Sequence, residues 1–189
     1  MISPIPAIPR YRGDIENWTR RVEVYSGTVV DQIQQIEDLF VATYAPYKGS
    51  IYVSEASGSQ SISGTYVLIN QFTANGISSG VTPDYTTGTI TLPTAGEYHV
   101  MANPSFSGGL NTTFTVTVHV DGAPQPQAQL IRKLGTGGDV GSASLQGDIS
   151  VNTNAVVDLR IKCDGVSQAF SLEACNFRVQ SAKHYFEVA

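Results

Sequence analysis

Beyond residue 45, apolar and polar residues alternate along much of the chain. The clearest case runs from Phe114 to Val120 (FTVTVHV), where every second residue is apolar and the residues between are Thr or His. A period of two indicates a β-strand with one buried face. The dipeptide Asp121-Gly122 follows, and it favours a tight hairpin turn.

Similar segments, separated by Gly, Pro, Asn and Asp, predict about nine strands. They cover Ile51–Glu55, Tyr66–Phe72, Thr87–Leu92, Glu97–Phe106, Phe114–Val120, Gln127–Leu134, Gly141–Val151, Val156–Cys163 and Ala174–Lys183. About 8–10 short strands with turn signals between them are typical of a mainly β, jelly-roll sandwich. The Ser- and Gly-rich tract 54–65 (SEASGSQSISGT) is predicted to be a flexible connector or a long loop.

Before residue 45 the apolar residues do not follow the period of two that is seen in the strands. Apolar residues recur at spacings of three and four, with one extra four-residue step, and Asp14 is a suitable N-cap. The stripe consists of Ile15, Trp18, Val22, Tyr25, Val29, Ile33, Ile36 and Phe40. It predicts a self-associating helical stem over 14–44, since the period is that of a coiled coil. An amphipathic helix packed on its own domain, or a helical hairpin broken near Gly27, is the alternative.

The first thirteen residues are rich in proline. Proline fixes φ and biases the preceding residue towards extended geometry, so this segment is predicted to be a stiff, polyproline-like arm. We expect it to bind a partner surface through Pro4, Ile5, Pro6, Ile8, Pro9 and Tyr11. The predicted organisation is therefore an anchoring arm (1–13), a helical stem (14–44), a connector (45–61) and a β-domain (62–189).

Composition narrows the classes of partner. Only 14% of residues are charged and the net charge is -5, which argues against nucleic acid, since binding phosphates needs a clustered basic face. No apolar stretch approaches the length of a membrane span, and the N-terminus lacks the features of a signal peptide. We therefore expect folding in a reducing cytoplasm. Cys163 and Cys175 share the parity of apolar neighbours and are expected to be free core thiols.

The sequence offers little catalytic chemistry. The three histidines, His99, His119 and His184, lie far apart in the sequence and are expected to be solvent-facing or interface residues. No serine lies in a G-x-S-x-G motif. We predict no catalytic, cofactor-binding or metal-binding residue, and hence a protein that is not an enzyme.

A calcium site is the weaker alternative, because the turn aspartates form no contiguous D-x-D-x-D loop. It would have to draw on Asp121, Asp139, Asp148 and Asp164.

The run GTITLPTAGEYHVMANPSFSG resembles the central signature of the trimeric jelly rolls of the complement globular-head and tumour necrosis factor-like type. Leu92, Pro93, Gly96 and Tyr98 carry this signature, and the pair Gly147-Asp148 opens a later strand of the same pattern. The resemblance covers roughly residues 62–183 and implies a homotrimer. The final strand departs from it, because the usual Ser-Phe-Ser-Gly is missing, and neither receptor binding nor calcium is carried over.

The N-terminal run PIPAIPRYRGDIENWTRRVEVY is similar to N-terminal modules of tailed-bacteriophage structural proteins, in which a short anchor docks on the particle and a trimeric β-domain projects outward. This resemblance implies a virion protein made in the host cytoplasm, either a capsid decoration protein or a head fibre. Its partners would be other copies of itself and capsid or tail proteins that hold the arm.

Two other functions stay open. The first is a tail fibre or receptor-binding module that contacts a host-surface glycan through exposed Tyr, Asn and Thr side chains. The second is an esterase-like hydrolase on a β-sandwich, which would need an acid–base pair brought together by the fold.

Overall fold

A computed structural model describes residues 26–35, 46–56, 58–136 and 140–182 of the chain. These residues form one helix, α1 (26–35), and fourteen strands. The strands are β1 (Lys48–Val53), β2 (Gln60–Ile62), β3 (Val67–Leu68), β4 (Ala74–Asn75), β5 (Thr82–Asp84), β6 (Thr89–Leu92), β7 (Gly96–Ala102), β8 (Ser105–Gly108), β9 (Thr113–Val120), β10 (Ala123–Lys133), β11 (Gly141–Ser142), β12 (Leu145–Val151), β13 (Ala155–Cys163) and β14 (Gln168–Ser181). All the strands belong to one compact unit, Pro46–Tyr185, and α1 belongs to another.

The strands build two antiparallel sheets. The eight-stranded sheet follows the order β11-β8-β14-β1-β4, with β2 and β7 also paired to β14 and β12 paired to β7. The six-stranded sheet follows the order β10-β9-β13-β6-β5, with β3 paired to β13. Their facing sides enclose a single hydrophobic core, so the predicted jelly-roll sandwich is confirmed.

The core follows directly from the alternation in the sequence. On β9 the residues Phe114, Val116 and Val118 are fully buried, as the period of two predicts. Near one end of the sandwich, the rings of Phe106 and Phe170 lie with centroids 5.5 Å and 6.3 Å from that of Phe114. Each fully buried side chain of this size stabilises the fold by roughly 1.5–3 kcal/mol, so this aromatic cluster is a main source of cohesion.

A corner connects β6 to β7 and changes sheets. Pro93 follows β6 directly, where a residue that cannot donate a hydrogen bond ends the ladder at no cost. Gly96 has a φ of 153°, a value that side chains rarely tolerate. The buried Tyr98 donates a hydrogen bond from its hydroxyl to the carbonyl of Thr94, at 3.0 Å. The signature run in the sequence is therefore an architectural corner closed by a tyrosine.

The β9–β10 hairpin turns at the predicted dipeptide. Asp121 and Gly122 have φ values of 50° and 81°, the left-handed pair that a two-residue hairpin requires. The Asp121 carboxylate also accepts a hydrogen bond of 2.8 Å from the backbone N–H of Val156, which ties the turn to the start of β13.

The two sides of the sandwich have different edges. On one side β10 lies across β12, and the Gln127 side chain donates to the carbonyl of Asp148. A Cβ atom at Gly147 would lie 2.7 Å from the backbone oxygen of Gln127, so this glycine allows the two strands to approach. On the other side the edge strands β4 and β5 have only two and three residues, and β5 contains Pro83. The long edge is covered, and the open edge is short.

Several predicted segments differ from the observed strands. The segment Glu97–Phe106 is two strands, broken at Asn103-Pro104, and Gly141–Val151 is also two, broken at Ala143-Ser144. Only Val67–Leu68 of the predicted strand Tyr66–Phe72 pairs in a sheet. Strands β4 and β5 are too short to give a periodic signal.

The predicted boundary at residue 62 lies inside the β-domain. Residues 45–61 contain all of β1, which pairs with β14 over six residue pairs, and most of β2. The Ser- and Gly-rich tract 54–65 was predicted to be a connector, yet β2 within it pairs with Gln168–Phe170. With only three residues, Gln60, Ser61 and Ile62, this strand is too short to show a clear alternation in the sequence.

Replacing Gly147 by alanine is expected to lower the free energy of unfolding by about 1–3 kcal/mol, because the added methyl meets backbone rather than a flexible side chain. Replacing a strand glycine by alanine usually raises the free energy of unfolding by about 0.5–1 kcal/mol, and this stabilisation is smaller than the cost of the close contact. Urea unfolding measures the difference. Gly165→Ala is the matched control, since nothing lies within 4 Å of a Cβ there, and it is expected to be neutral or stabilising. Equal effects of the two substitutions would contradict the close approach of β10 and β12.

Candidate interaction surfaces

Each sheet turns one side to the core and the other outward. On the eight-stranded sheet, the outward residues of β12, β7, β14 and β1 form a surface that we name the β7–β14 face. It comprises Gln146, Asp148, Ser150, Glu97, His99, Met101, Asn176, Arg178, Gln180, Lys48, Ser50 and Tyr52. The four strands pair without a register shift here, so the rows of side chains are continuous across the sheet.

Two side-chain pairs lie on the β7–β14 face. His99 Nδ1 lies 2.9 Å from a carboxylate oxygen of Asp148, its register partner on β12. Arg178 donates to the side-chain oxygen of Gln180 at 2.6 Å, and Gln180 is the register partner of His99 on β14. One pair therefore links two neighbouring strands, and the other lies along β14.

Two larger, partly apolar side chains lie among the polar residues of the β7–β14 face: the register partners of Met101 are Gln146 and Arg178, and that of Tyr52 is Asn176. Met101 and Tyr52 are half-buried on its surface, and within the described part of the chain neither the Tyr52 hydroxyl nor the Asn176 amide makes a side-chain hydrogen bond. Half-exposed aromatic and methionine side chains on a flat surface are typical of protein–protein interfaces.

The outward side of the six-stranded sheet is organised differently. We name as the β9–β13 face the outward residues of β10, β9 and β13 together with Tyr66, which precedes β3. These are Gln129, Ile131, Lys133, Thr113, Thr115, Thr117, His119, Asp158, Arg160, Lys162 and Tyr66. Three of its polar side chains are at least nine-tenths buried: Thr117, His119 and Asp158.

Tyr66 covers this buried polar group. Its hydroxyl lies 3.0 Å from the hydroxyl of Thr117, which in turn donates to Gln129 at 3.2 Å. Its ring packs edge-on against His119, with centroids 4.9 Å apart, and the Lys162 ammonium lies 4.5 Å from the ring centroid. A single side chain from the loop before β3 therefore closes over two strands.

Asp158 and Arg160 form the strongest ion pair of this face. The guanidinium donates two hydrogen bonds, of 2.9 Å and 3.1 Å, one to each oxygen of the Asp158 carboxylate. This bond to Asp158 is the main reason that the pKa of Arg160 is raised. Because Asp158 is buried, removing Arg160 alone would leave an unpaired buried carboxylate, at a cost of several kcal/mol.

His119 was expected to be solvent-facing or an interface residue, and that prediction is wrong within this chain. Only 2% of its surface is exposed, because Tyr66 lies over it. Burial lowers the pKa of His119, although its hydrogen bond to the Thr117 carbonyl and the nearby Asp158 act in the opposite direction. The burial of His119 could not be predicted from the sequence, because Tyr66, which covers it, lies 53 residues away in the chain.

The signature residues come together at the corner and the adjoining strands. Leu92 is buried at the end of β6, Pro93 and Gly96 form the turn, and Tyr98 lies on β7. Gly147 and Asp148 lie on the neighbouring β12, where they pair with Val100 and His99.

The other predicted site residues are only partly within the described residues. Of the stem stripe, Val29 and Ile33 lie in α1, where Val29 is half-buried and Ile33 is 50% exposed. Gln32, one position before Ile33, is buried. The remaining stem residues (Ile15, Trp18, Val22, Tyr25, Ile36 and Phe40) and the anchor residues (Pro4, Ile5, Pro6, Ile8, Pro9 and Tyr11) lie outside the described residues.

Among the described residues, no group of three or more His, Cys, Asp or Glu side chains could hold a metal ion. Asp164 accepts from the N–H of Thr113, and Asp148, which lies within β12 and not in a turn, contacts His99. Asp139 lies outside the described residues. Both cysteines are buried and free, and burial raises the pKa of Cys175 to about 12. In the same part of the chain, no helix has the length and apolar character needed to cross a membrane.

Two solved structures share this arrangement of strands. The globular domain of zebrafish complement 1qA protein superimposes with a TM-score of 0.52 and 13% sequence identity, over 72% of this chain and 98% of that one. Eiger TNF from S. frugiperda superimposes with a TM-score of 0.51 and 11% identity, over 76% of this chain and 98% of that one. No protein-family profile and no curated protein matches the sequence. The β-domain therefore has the jelly-roll fold of the complement globular-head and tumour necrosis factor type, as the sequence resemblance implied.

The depressed pKa of His119 makes stability depend on pH. The unfolded chain binds a proton at His119 near the ordinary value of 6.5, whereas the folded chain binds it only at a lower pH. The free energy of unfolding is therefore expected to fall as the pH decreases below about 6.5. Urea unfolding between pH 7.5 and pH 5 measures this slope, and His119→Gln is expected to reduce it. If the variant kept the full slope over this range, His119 would not be its cause.

Proposed function

We propose that this chain is a non-enzymatic structural protein of a bacteriophage particle, a homotrimer that decorates the capsid or forms a short head fibre. The observation that carries this proposal is the combination of a jelly-roll domain with the Pro-rich and helical pattern that precedes it. The jelly-roll fold supports the resemblance to trimeric domains, and the N-terminal pattern supports attachment to a particle.

Trimer formation is assigned to the β7–β14 face. The polar side chains of the β9–β13 face form their hydrogen bonds mainly with one another, beneath Tyr66. Contact with a second copy would therefore add few hydrogen bonds on this face. On the β7–β14 face, Met101 and Tyr52 remain half-buried on an even surface. Burying these side chains against another copy would remove apolar surface from water at roughly 25 cal/mol per Å².

The helical segment supports the same assembly. In α1, Val30 is 63% exposed and Ile33 is 50% exposed, so one helix leaves apolar side chains accessible. Ile33 belongs to the stripe predicted from the sequence. Packing three such helices together would cover the stripe and fix the register of the three jelly rolls.

The position of the chain ends within the β-domain suits an anchored role. Residue 48 opens β1 opposite Gln180 of β14, and the Ser181 N–H donates to the carbonyl of Tyr47. The chain therefore enters and leaves the domain at one end. The β8–β9 and β13–β14 loops lie at the other end, where the Asp164 N–H donates to the carbonyl of Thr113. These distal loops therefore lie at the end of the β-domain opposite the first residue of β1 and the last residue of β14.

A second candidate, a tail fibre or receptor-binding module, is favoured by those distal loops. Leu110 on the β8–β9 loop is 57% exposed and Val166 on the β13–β14 loop is 80% exposed. Solvent-exposed apolar loop tips on a rigid sandwich suit contact with a host surface. A host-adsorption assay with Leu110→Ser/Val166→Ser separates the two functions: full adsorption favours decoration, and its loss favours attachment.

In solution the chain is expected to have about three times its 20.2 kDa mass by light scattering. Met101→Glu is expected to dissociate the trimer, because desolvating the new carboxylate costs more than pairing with Arg178, its register partner on β14, would recover. Thr115→Glu, a half-buried outward position on β9, is the matched control and is expected to remain trimeric. A monomeric wild-type chain, or a trimeric Met101→Glu variant, would contradict the assignment of this face.

On particles, an epitope-tagged chain is expected to remain bound through density-gradient purification and to appear on the capsid surface by immunogold labelling. Deleting residues 1–13 is expected to abolish this binding while leaving the trimer intact in solution. A wild-type chain absent from purified particles would refute the structural role, and a deletion variant that still binds would exclude the arm as the anchor.

A further inference from the structure

We propose that the β9–β13 face binds an anionic polysaccharide. This inference goes beyond the proposed function, and it uses a surface distinct from both the β7–β14 face and the distal loop tips. Its test is therefore independent of trimer formation and of attachment to a particle.

The first observation is the distribution of cations. The chain carries a net charge of -5, yet four of the six Lys and Arg residues among the described residues of the β-domain lie on two strands, β10 and β13. Lys133, Arg160 and Lys162 belong to the β9–β13 face, whereas Arg132 has the parity of the core residues and its register partner is the buried Phe114. Three of these six cations thus share one face, which gives it a local field favourable to anions.

The second observation is that two of these cations are held in place. Lys162 lies over the Tyr66 ring, and the guanidinium of Arg160 is fixed by two hydrogen bonds to Asp158. Asp158 offsets the charge of Arg160 but accepts from only two of the five N–H groups of a guanidinium. About 30% of the Arg160 side chain is exposed, so further donors can face a ligand. Cations already ordered lose less entropy on binding than freely rotating lysines do.

Lys133, Arg160 and Lys162 do not converge on one point of the face. Arg160 and Lys162 lie two residues apart on β13, so their Cα atoms are about 7 Å apart, and the Arg160 guanidinium reaches back to Asp158. Lys133 lies two strands away, since Thr113 and Thr115 of β9 stand between β10 and β13, a lateral distance of about 10 Å. One small anion cannot contact all three, whereas a polymer with repeated anionic groups can.

The groups between the cations favour a carbohydrate over a nucleic acid. The hydroxyls of Thr113 and Thr115 and the amide of Gln129 can exchange hydrogen bonds with sugar hydroxyls, and Ile131, 64% exposed, offers an apolar contact. The Tyr66 ring is engaged by Lys162 above and by His119 at its edge, so it is not available to stack a base. A flat surface of this kind fits an extended sugar chain.

One exposed carboxylate flanks this surface. Asp164, at the end of β13, has a lowered pKa, chiefly because of its hydrogen bonds with Thr113, and it lies near enough to Lys133 to feel its charge. It reduces the net positive charge of the face. We therefore expect weak binding that depends steeply on ionic strength.

The experiment measures binding of the full-length chain to immobilised heparin and to polygalacturonate at about 20 mM and about 300 mM salt, with neutral dextran and duplex DNA as comparison ligands. The wild-type chain is expected to bind both anionic polysaccharides at low salt, to lose most of that binding at high salt, and to leave dextran unbound. Lys133→Gln/Lys162→Gln is expected to weaken binding by roughly fivefold, as expected for two partly exposed ion pairs.

The matched control is Asn152→Asp/Asn154→Asp, which makes the same change in net charge at the β12–β13 turn, at the opposite end of the sandwich. Asp tolerates the positive φ of 60° at residue 154. This control is expected to bind as the wild type does. The proposal is overturned by a wild-type chain that binds neither polysaccharide at low salt, by equal weakening in the two variants, or by equally tight binding of DNA. Light scattering on the same samples reports the trimer separately.

Discussion

The eight-stranded sheet depends on a single strand, β14. Its first half pairs with β2 and β8, and its second half with β1 and β7, so four neighbours are held by fourteen residues. The register shifts between Leu172 and Ala174, where the strand passes from one set of partners to the other. At this point the buried Gln71 side chain accepts from the Leu172 N–H and donates to the Phe170 carbonyl, and so supplies the hydrogen bonds that a neighbouring strand would otherwise make. β14 is also the last of the fourteen strands in the sequence, so the eight-stranded sheet can be completed only after this strand has been synthesised.

The core and the turns could be predicted because each leaves a local signal. The alternation of Phe114 to Val120 gives β9, and the Asp121-Gly122 dipeptide gives its turn without knowledge of any other strand. The buried polar group could not be predicted in this way. Its members come from the loop before β3 and from β9 and β13, and Thr117 and His119 have the same parity as ordinary solvent-facing residues. Only the pairing of distant strands determines that Tyr66 covers them.

The two outward faces share a backbone pattern but differ in how their polar groups are used. On the β9–β13 face the polar atoms bond to one another, and Lys and Arg are held by an aromatic ring and a buried carboxylate. On the β7–β14 face one His–Asp pair links β7 to β12 and one Arg–Gln pair lies along β14, and Met101 and Tyr52 stand half-buried among them. One sandwich can therefore present a surface suited to close protein packing on one side and a surface suited to polar ligands on the other.

The edges of the sandwich have a consequence for solubility at high local concentration. Unpaired sheet edges are templates for pairing between molecules, and repeated display on one surface would bring many copies together. Here the long strand β10 carries Pro124 and Pro126 and lies against β12, while the edge strands β4, β5 and β11 have at most three residues. The prolines remove two backbone donors from β10, and the short strands leave few donors on the other edges. Edges of this kind disfavour the addition of a strand from an identical neighbour, and so favour solubility where copies are crowded.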